Sequence, residues 1–147
     1  MEESPSYVVL SSGLSGNSMR NWLLLLLSYN GIEELKIPGS FISVLPEITE
    51  FPVSDIVEIL DISRSTYYRI KDELWLEPET ADKISSLLKL FYYGLEAFEG
   101  KKEDFRDWLN TSIPTLDNKK PVHLLKTESG RAVVLDAIAR VEHNVYG

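Results

Sequence analysis

Apolar residues recur along most of this chain at intervals of three and four, the period of a helix that buries one face. The longest stripe is Ile84, Leu87, Leu88, Phe91, Tyr92, Leu95 and Phe98. It predicts a helix from about Glu79 to Phe98, with Pro78 in its first turn and Gly100 at its end. Ahead of it, Ile56, Ile59 and Leu60 share a face, and Ser54 can cap the helix that carries them. Asp61-Ile62 turns the chain, and Ser63 caps a second short helix whose Tyr67 and Ile70 face inward. Ile62 and Tyr67 stand at N′ and N4 around that cap, the positions of a hydrophobic staple.

Beyond Gly100 the same period continues. Phe105, Trp108 and Leu109 predict a helix from Lys102 to Leu109, and Pro114 with Asp117-Asn118 marks a loop. Pro121 opens a single turn holding Val122, Leu124 and Leu125. Thr127 caps a last helix whose inward face is Val134, Leu135, Ile138 and Val141. Towards the amino terminus the order loosens. Met1 to Gly16 reads as an arm rich in Ser and Gly, in which Tyr7-Val8-Val9-Leu10 is the one strand-like run. Asn17 or Ser18 can cap a helix to about Tyr29, ended by Asn30-Gly31. Pro38-Gly39 makes a turn, a short helix runs from Ser40 to about Leu45, and a loop continues through Pro52. The class is all-α: a helix-turn-helix domain followed by a small helical domain. The divisions expected are 1–45 (arm and helix, a possible dimer contact), 46–98 (helix-turn-helix with its long linking helix) and 99–147.

An apolar fraction of 44% in 147 residues is enough to build a core, so wholesale disorder is not expected. The run Trp22-Leu23-Leu24-Leu25-Leu26-Leu27 is too short to cross a membrane, which takes roughly 20 apolar residues. A buried or dimer-facing helix is the simpler account of it. The absence of cysteine removes disulfides, thiolate metal sites and cysteine nucleophiles, and suits a reducing cytoplasm. His123 and His143 are the only histidines, and no Gly-rich phosphate loop or metal-ligand spacing is present. Neither an enzyme, a metal site nor a cofactor is expected.

Charge sharpens the picture. There are 23 acidic and 15 basic side chains, and the surplus of acid lies entirely before Glu99. Within that acidic field, Ser63 to Lys71 holds Arg64, Arg69 and Lys71 and no acid at all. A helix that enters the major groove presents small polar and cationic side chains near its amino end, as Arg64, Ser65, Thr66, Tyr68, Arg69 and Lys71 do. The competing reading is an ordinary helical pair with a solvated face. Three cations per chain give a weak single grip on phosphate, so DNA binding here requires a dimer or larger assembly.

The carboxyl-terminal third, from Trp108 to Gly147, resembles the toxin-binding domain of the Xre/MbcA/ParS antitoxin family. The resemblance rests on Trp108-Leu109, Pro114, Leu116, Pro121, Leu124-Leu125, Thr127, Gly130, Arg140, Glu142-His143 and Val145-Tyr146, all at the family's spacing. Upstream, "ILDISRSTYYRI" and the stretch from Leu76 to Phe98 resemble the family's helix-turn-helix and linking helix. Asp117 and Asn144 stand where the family commonly has Gly, and both residue types tolerate left-handed backbone. The resemblance implies an antitoxin that binds a RES-domain toxin, an NAD⁺-consuming enzyme, and covers its active-site entrance. It also implies a homodimer, within a larger toxin–antitoxin complex, that represses its own operon. Thr127, Gly130, Arg131, Arg140, Glu142, His143, Val145, Tyr146 and Gly147 are then the toxin-binding residues, with Arg140, His143, Val145, Tyr146 and Gly147 projecting as a tip equipped to plug a nucleotide cleft. Two alternatives stand beside it: a helix-turn-helix regulator without a toxin partner, and a pure inhibitor whose helix-turn-helix is only a spacer.

Overall fold

A computed structural model describes residues 7–9, 34–43 and 45–144, and the side chains of 36–43, 45–47 and 49–142. The helix expected through Trp22 to Leu27 lies outside them, as do Val145, Tyr146, Gly147 and the side chain of His143.

Six helices follow in order: α1 (Leu45–Thr49), α2 (Val53–Leu60), α3 (Arg64–Ile70), α4 (Pro78–Ala97), α5 (Lys102–Leu109) and α6 (Glu128–Asn144). Single 3-10 turns occupy Gly39–Ser43, Pro114–Leu116 and Pro121–Leu124. Tyr7–Val9 pairs in parallel with Glu34–Lys36, in the register Tyr7 to Glu34. These two strands, β1 and β2, are three residues each and leave the class all-α. The pairing of Tyr7 to Val9 agrees with the strand-like run in the arm; the partner strand was not foreseen.

Local chemistry explains most boundaries. Pro52, not Ser54, precedes α2: its φ of −67° is ready-made for helix entry, and its carbonyl accepts from the amides of Asp55 and Ile56. Ser54 therefore falls inside the first turn, where it cannot cap. The segment read as a loop after Leu45 is helical instead. Thr49 closes that short helix by donating its hydroxyl to the Leu45 carbonyl and accepting from the Phe51 amide, and Glu50 then turns away at φ 62°. Asp61 ends α2 in left-handed backbone, φ 58°, a conformation open to Asp at low cost. Asp117 does the same at φ 56°, as expected for a residue standing at a glycine position.

A single core runs through the helices. Phe51 meets Phe91 edge to face at 5.8 Å, and Phe91 meets Phe105 likewise at 6.0 Å. The first of these rings precedes α2, the second sits on α4 and the third on α5, so the helix-turn-helix and the carboxyl-terminal helices share one interior. Arg106 lies over the outer part of the Phe51 ring, and Lys102 pairs with Glu50 at 3.3 Å, closing the same seam from the surface. The chain before α1 crosses the far end of α3. A side-chain carbon on Gly39 would stand 2.3 Å from the Ile70 carbonyl oxygen, so only glycine permits that approach.

Candidate functional site

Two surfaces carry the chemistry. The first is the outer face of α3. Ser63 caps it as its sequence position predicts, with Oγ accepting from the Thr66 amide at 3.0 Å. The same oxygen bonds the hydroxyls of Ser65 at 3.1 Å and Thr66 at 2.9 Å, so both are engaged in the cap, and Thr66 is half-buried. Arg64, Ser65, Tyr68, Arg69 and Lys71 are exposed, while Tyr67 and Ile70 are buried. The cations are not equally available. Arg69 pairs with Glu73 at 3.2 Å, and Lys71 lies 5.6 Å over the Tyr68 ring. Among the described residues Arg64 has no ion-pair partner. Behind this face, Tyr67 donates its hydroxyl to the Ile42 carbonyl at 3.3 Å, and burial followed by the neighbouring Tyr68 raises its pKa. Lys83, from α4, donates to the Leu60 carbonyl at 2.9 Å and so holds the end of α2.

The second surface is α6 and what supports it. Thr127 Oγ1 accepts from the Gly130 amide at 2.9 Å, and the Thr127 carbonyl accepts from that of Arg131. A Cβ on Gly130 would lie 1.9 Å from the Leu124 carbonyl oxygen, so the turn at Pro121–Leu124 is pressed directly onto the helix start. Arg131, expected among the toxin-binding residues, is only 8% exposed. Its Nε donates to Ser86 Oγ on α4 and one Nη to the Leu125 carbonyl, each at 3.0 Å. Burial lowers its proton affinity, an effect that Glu128 partly offsets. Arg140 is exposed and pairs with Asp136 one turn back; Glu142 is exposed without a described ion pair.

Leu135 departs from the inward face assigned to it. It is 39% exposed, because α6 buries Arg131, Val134, Ala137 and Ile138, and Leu135 lies about 100° round from Val134. Beside it Tyr93 of α4 is 41% exposed. Between α4 and α6 runs a cleft of about 420 Å³ with buried Ser85, Leu90 and Arg131 in its lining, and Lys89, Tyr93 and Leu135 among its walls. Tyr93 and Leu135 also line a second hollow of about 350 Å³, whose lining includes Glu142. The sequence flagged none of the α4 residues in it. The one available signal was that Tyr93 is a large ring lying off the buried stripe of α4.

Among the described residues no cluster of His, Asp or Glu could hold a metal, and no helix is long and apolar enough to cross a membrane.

Comparison with known proteins bears on the second surface. Residues 94–143 match the profile of the antitoxin Xre/MbcA/ParS carboxyl-terminal toxin-binding domain. An antitoxin Xre of Yersinia enterocolitica is 29% identical over 119 residues, covering 78% of this chain and 80% of that one. An antitoxin Xre of Photorhabdus laumondii is 25% identical over 117 residues, covering 79% of each. The matched span takes in the end of α4, all of α5, both proline-started turns and nearly all of α6. The chain is similar to antitoxins of the Xre/MbcA/ParS family, and its residues 94–143 match that family's carboxyl-terminal toxin-binding domain.

Proposed function

We propose that this chain neutralises a cognate RES-domain toxin that consumes NAD⁺, by laying its carboxyl-terminal domain over the active-site entrance, and that it represses its own operon in the cytoplasm through α2 and α3. The observation that carries the first half is the anchoring of α6. A helix start fixed by a cap, a glycine contact and a buried guanidinium gives the residues beyond it a defined direction, which is what a plug requires. Arg140 and Glu142 are exposed along that direction, and His143, Val145, Tyr146 and Gly147 follow in sequence. An NAD⁺ pocket holds cationic groups for the pyrophosphate; Glu142 suits such a place. On this reading the divisions are 1–45, 46–98 and 99–147, the last being the toxin-binding part.

The test is co-expression with the toxin, following cellular NAD⁺ and growth. The full chain is expected to preserve both, and a chain lacking Asn144 to Gly147 to preserve neither. Full protection by the shortened chain removes the tip from the mechanism.

For the operator, the support is the exposed set Arg64, Ser65, Tyr68, Arg69 and Lys71 on one face, with Thr66 at its edge. A homodimer within the toxin–antitoxin complex would double that footprint. A second reading has a specific observation behind it: Glu73 holds Arg69, and acid surrounds α3, as in a pure inhibitor that has no use for DNA. A gel shift with Arg64 and Arg69 both changed to Ala separates the two. Loss of operator binding with toxin inhibition intact supports the dual role; an unaltered shift removes DNA from it.

A further inference from the structure

The cleft between α4 and α6 contains an arrangement that stapling two helices does not require. Arg131 is over nine-tenths buried, yet among the described residues no carboxylate lies within ion-pair distance of it. A buried charge is normally neutralised by a partner, because desolvating it alone is costly. Two of its five N–H donors are spent on Ser86 and the Leu125 carbonyl, both neutral acceptors. Neutral groups orient the guanidinium without cancelling its charge. Ser85 and Ser86 set two hydroxyls in the same lining, and Lys89 adds a second cation one turn further along α4. Asp82 and Glu128 also line the cleft. Glu128 acts on Arg131 through space, and Asp82 is exposed, so neither forms the missing pair. Past this polar corner the wall becomes apolar at Tyr93 and Leu135, whose large side chains are left two-fifths exposed.

We propose that the cleft seats an acidic side chain of the toxin. The incoming carboxylate lies between Lys89 and Arg131, accepting from the remaining guanidinium N–H groups and from the serine hydroxyls. An apolar neighbour of that residue covers Tyr93 and Leu135. The toxin is the occupant argued for because the α6 wall of the cleft falls within the matched toxin-binding domain and Tyr93 and Leu135 are shared with a neighbouring hollow lined by Glu142. This rests on the toxin-binding reading above and adds a contact remote from the plug, with a stated chemistry. Charge-assisted bonds of this kind give register as well as affinity.

The experiment uses the full chain, nitrogen-15 labelled, with acetate as the probe of the carboxylate corner. Acetate is exchanged for chloride at constant ionic strength while the Arg131 Nε–H resonance is followed. A saturable shift is expected, abolished in Lys89→Glu; Lys89 is half-buried, so Lys89→Gln and a melting curve for each variant separate loss of the cation from loss of the fold. An Arg131 resonance that does not respond overturns the proposal. Adding the toxin should then eliminate the acetate response, and Lys89→Glu and Leu135→Asp should each weaken toxin binding about tenfold or more. An acetate response that persists in the toxin complex means the cleft lies outside the interface and overturns the toxin as occupant, while inhibition through the tip stands. If no RES-domain toxin binds the wild-type chain, the functional reading fails, and a retained acetate response shows an anion site awaiting another partner.

Discussion

Two hydroxyls, those of Ser63 and Thr127, each accept the amide three positions ahead, and together they start the two helices to which the proposed functions are assigned. Thr127→Ala is expected to cost about 1 kcal/mol of stability, the usual worth of a side-chain cap, read as a lowered denaturation midpoint. Gly130→Ala should cost more, in the range of about 1–3 kcal/mol for overpacking, because the Leu124 carbonyl cannot yield as a side chain would. Tyr67 supplies a pH dependence. Its pKa lies above the ordinary 10.0 in the folded chain, so the unfolded chain releases the proton first. Its contribution is whole below about pH 10 and is lost as pH climbs through the raised value. Urea midpoints measured from neutral to alkaline pH should fall there, and Tyr67→Phe should flatten the fall. Glu73→Gln, by releasing Arg69, should steepen the salt dependence of operator binding by roughly one phosphate contact, a slope change near 0.9. Both caps were legible because Ser and Thr compete poorly inside helices and well at their starts. Ser54 misled for the same reason: Pro52 already set the entry, and no rule about hydroxyls sees that.

The helices themselves were legible wherever the apolar period ran for two turns or more. Residues 78–97 and 102–109 lie within a residue or two of their expected limits. What escaped was short. The five-residue α1 has too few turns to show a period, and it is held by Thr49 and Glu50, whose roles depend on the chain reversing there. The strand Glu34–Lys36 is equally brief and exists through its pairing. The face of α6 was misjudged at Leu135, because four apolar residues at helical spacing do not reveal that the true stripe begins with an arginine. Contacts between elements were not legible at all, and Lys83 shows why. It is a charged residue on a long helix, and its role is to terminate α2 from 23 positions away. Lys83→Met should leave the Leu60 carbonyl without its partner, lower stability by about 1–2 kcal/mol, and speed amide exchange at the end of α2 more than in α6.

Taken together, the helices form one cooperative body, although the chain reads as two functional parts. The rings of Phe51, Phe91 and Phe105 belong to both parts at once. Phe105→Ala should cost about 3–5 kcal/mol and lower the unfolding midpoint of the helix-turn-helix and of α6 equally, as seen by Trp fluorescence and far-ultraviolet dichroism in one transition. The charge division along the sequence did not anticipate this, since it separates an acidic front from a neutral back and says nothing of a shared interior.

That shared interior has a bearing on turnover. Among the described residues the core shows no joint between the two parts, so a degradation machine should not unfold one and spare the other. Once Phe105 leaves its neighbours, the contacts proposed for operator and for toxin should be lost in the same event.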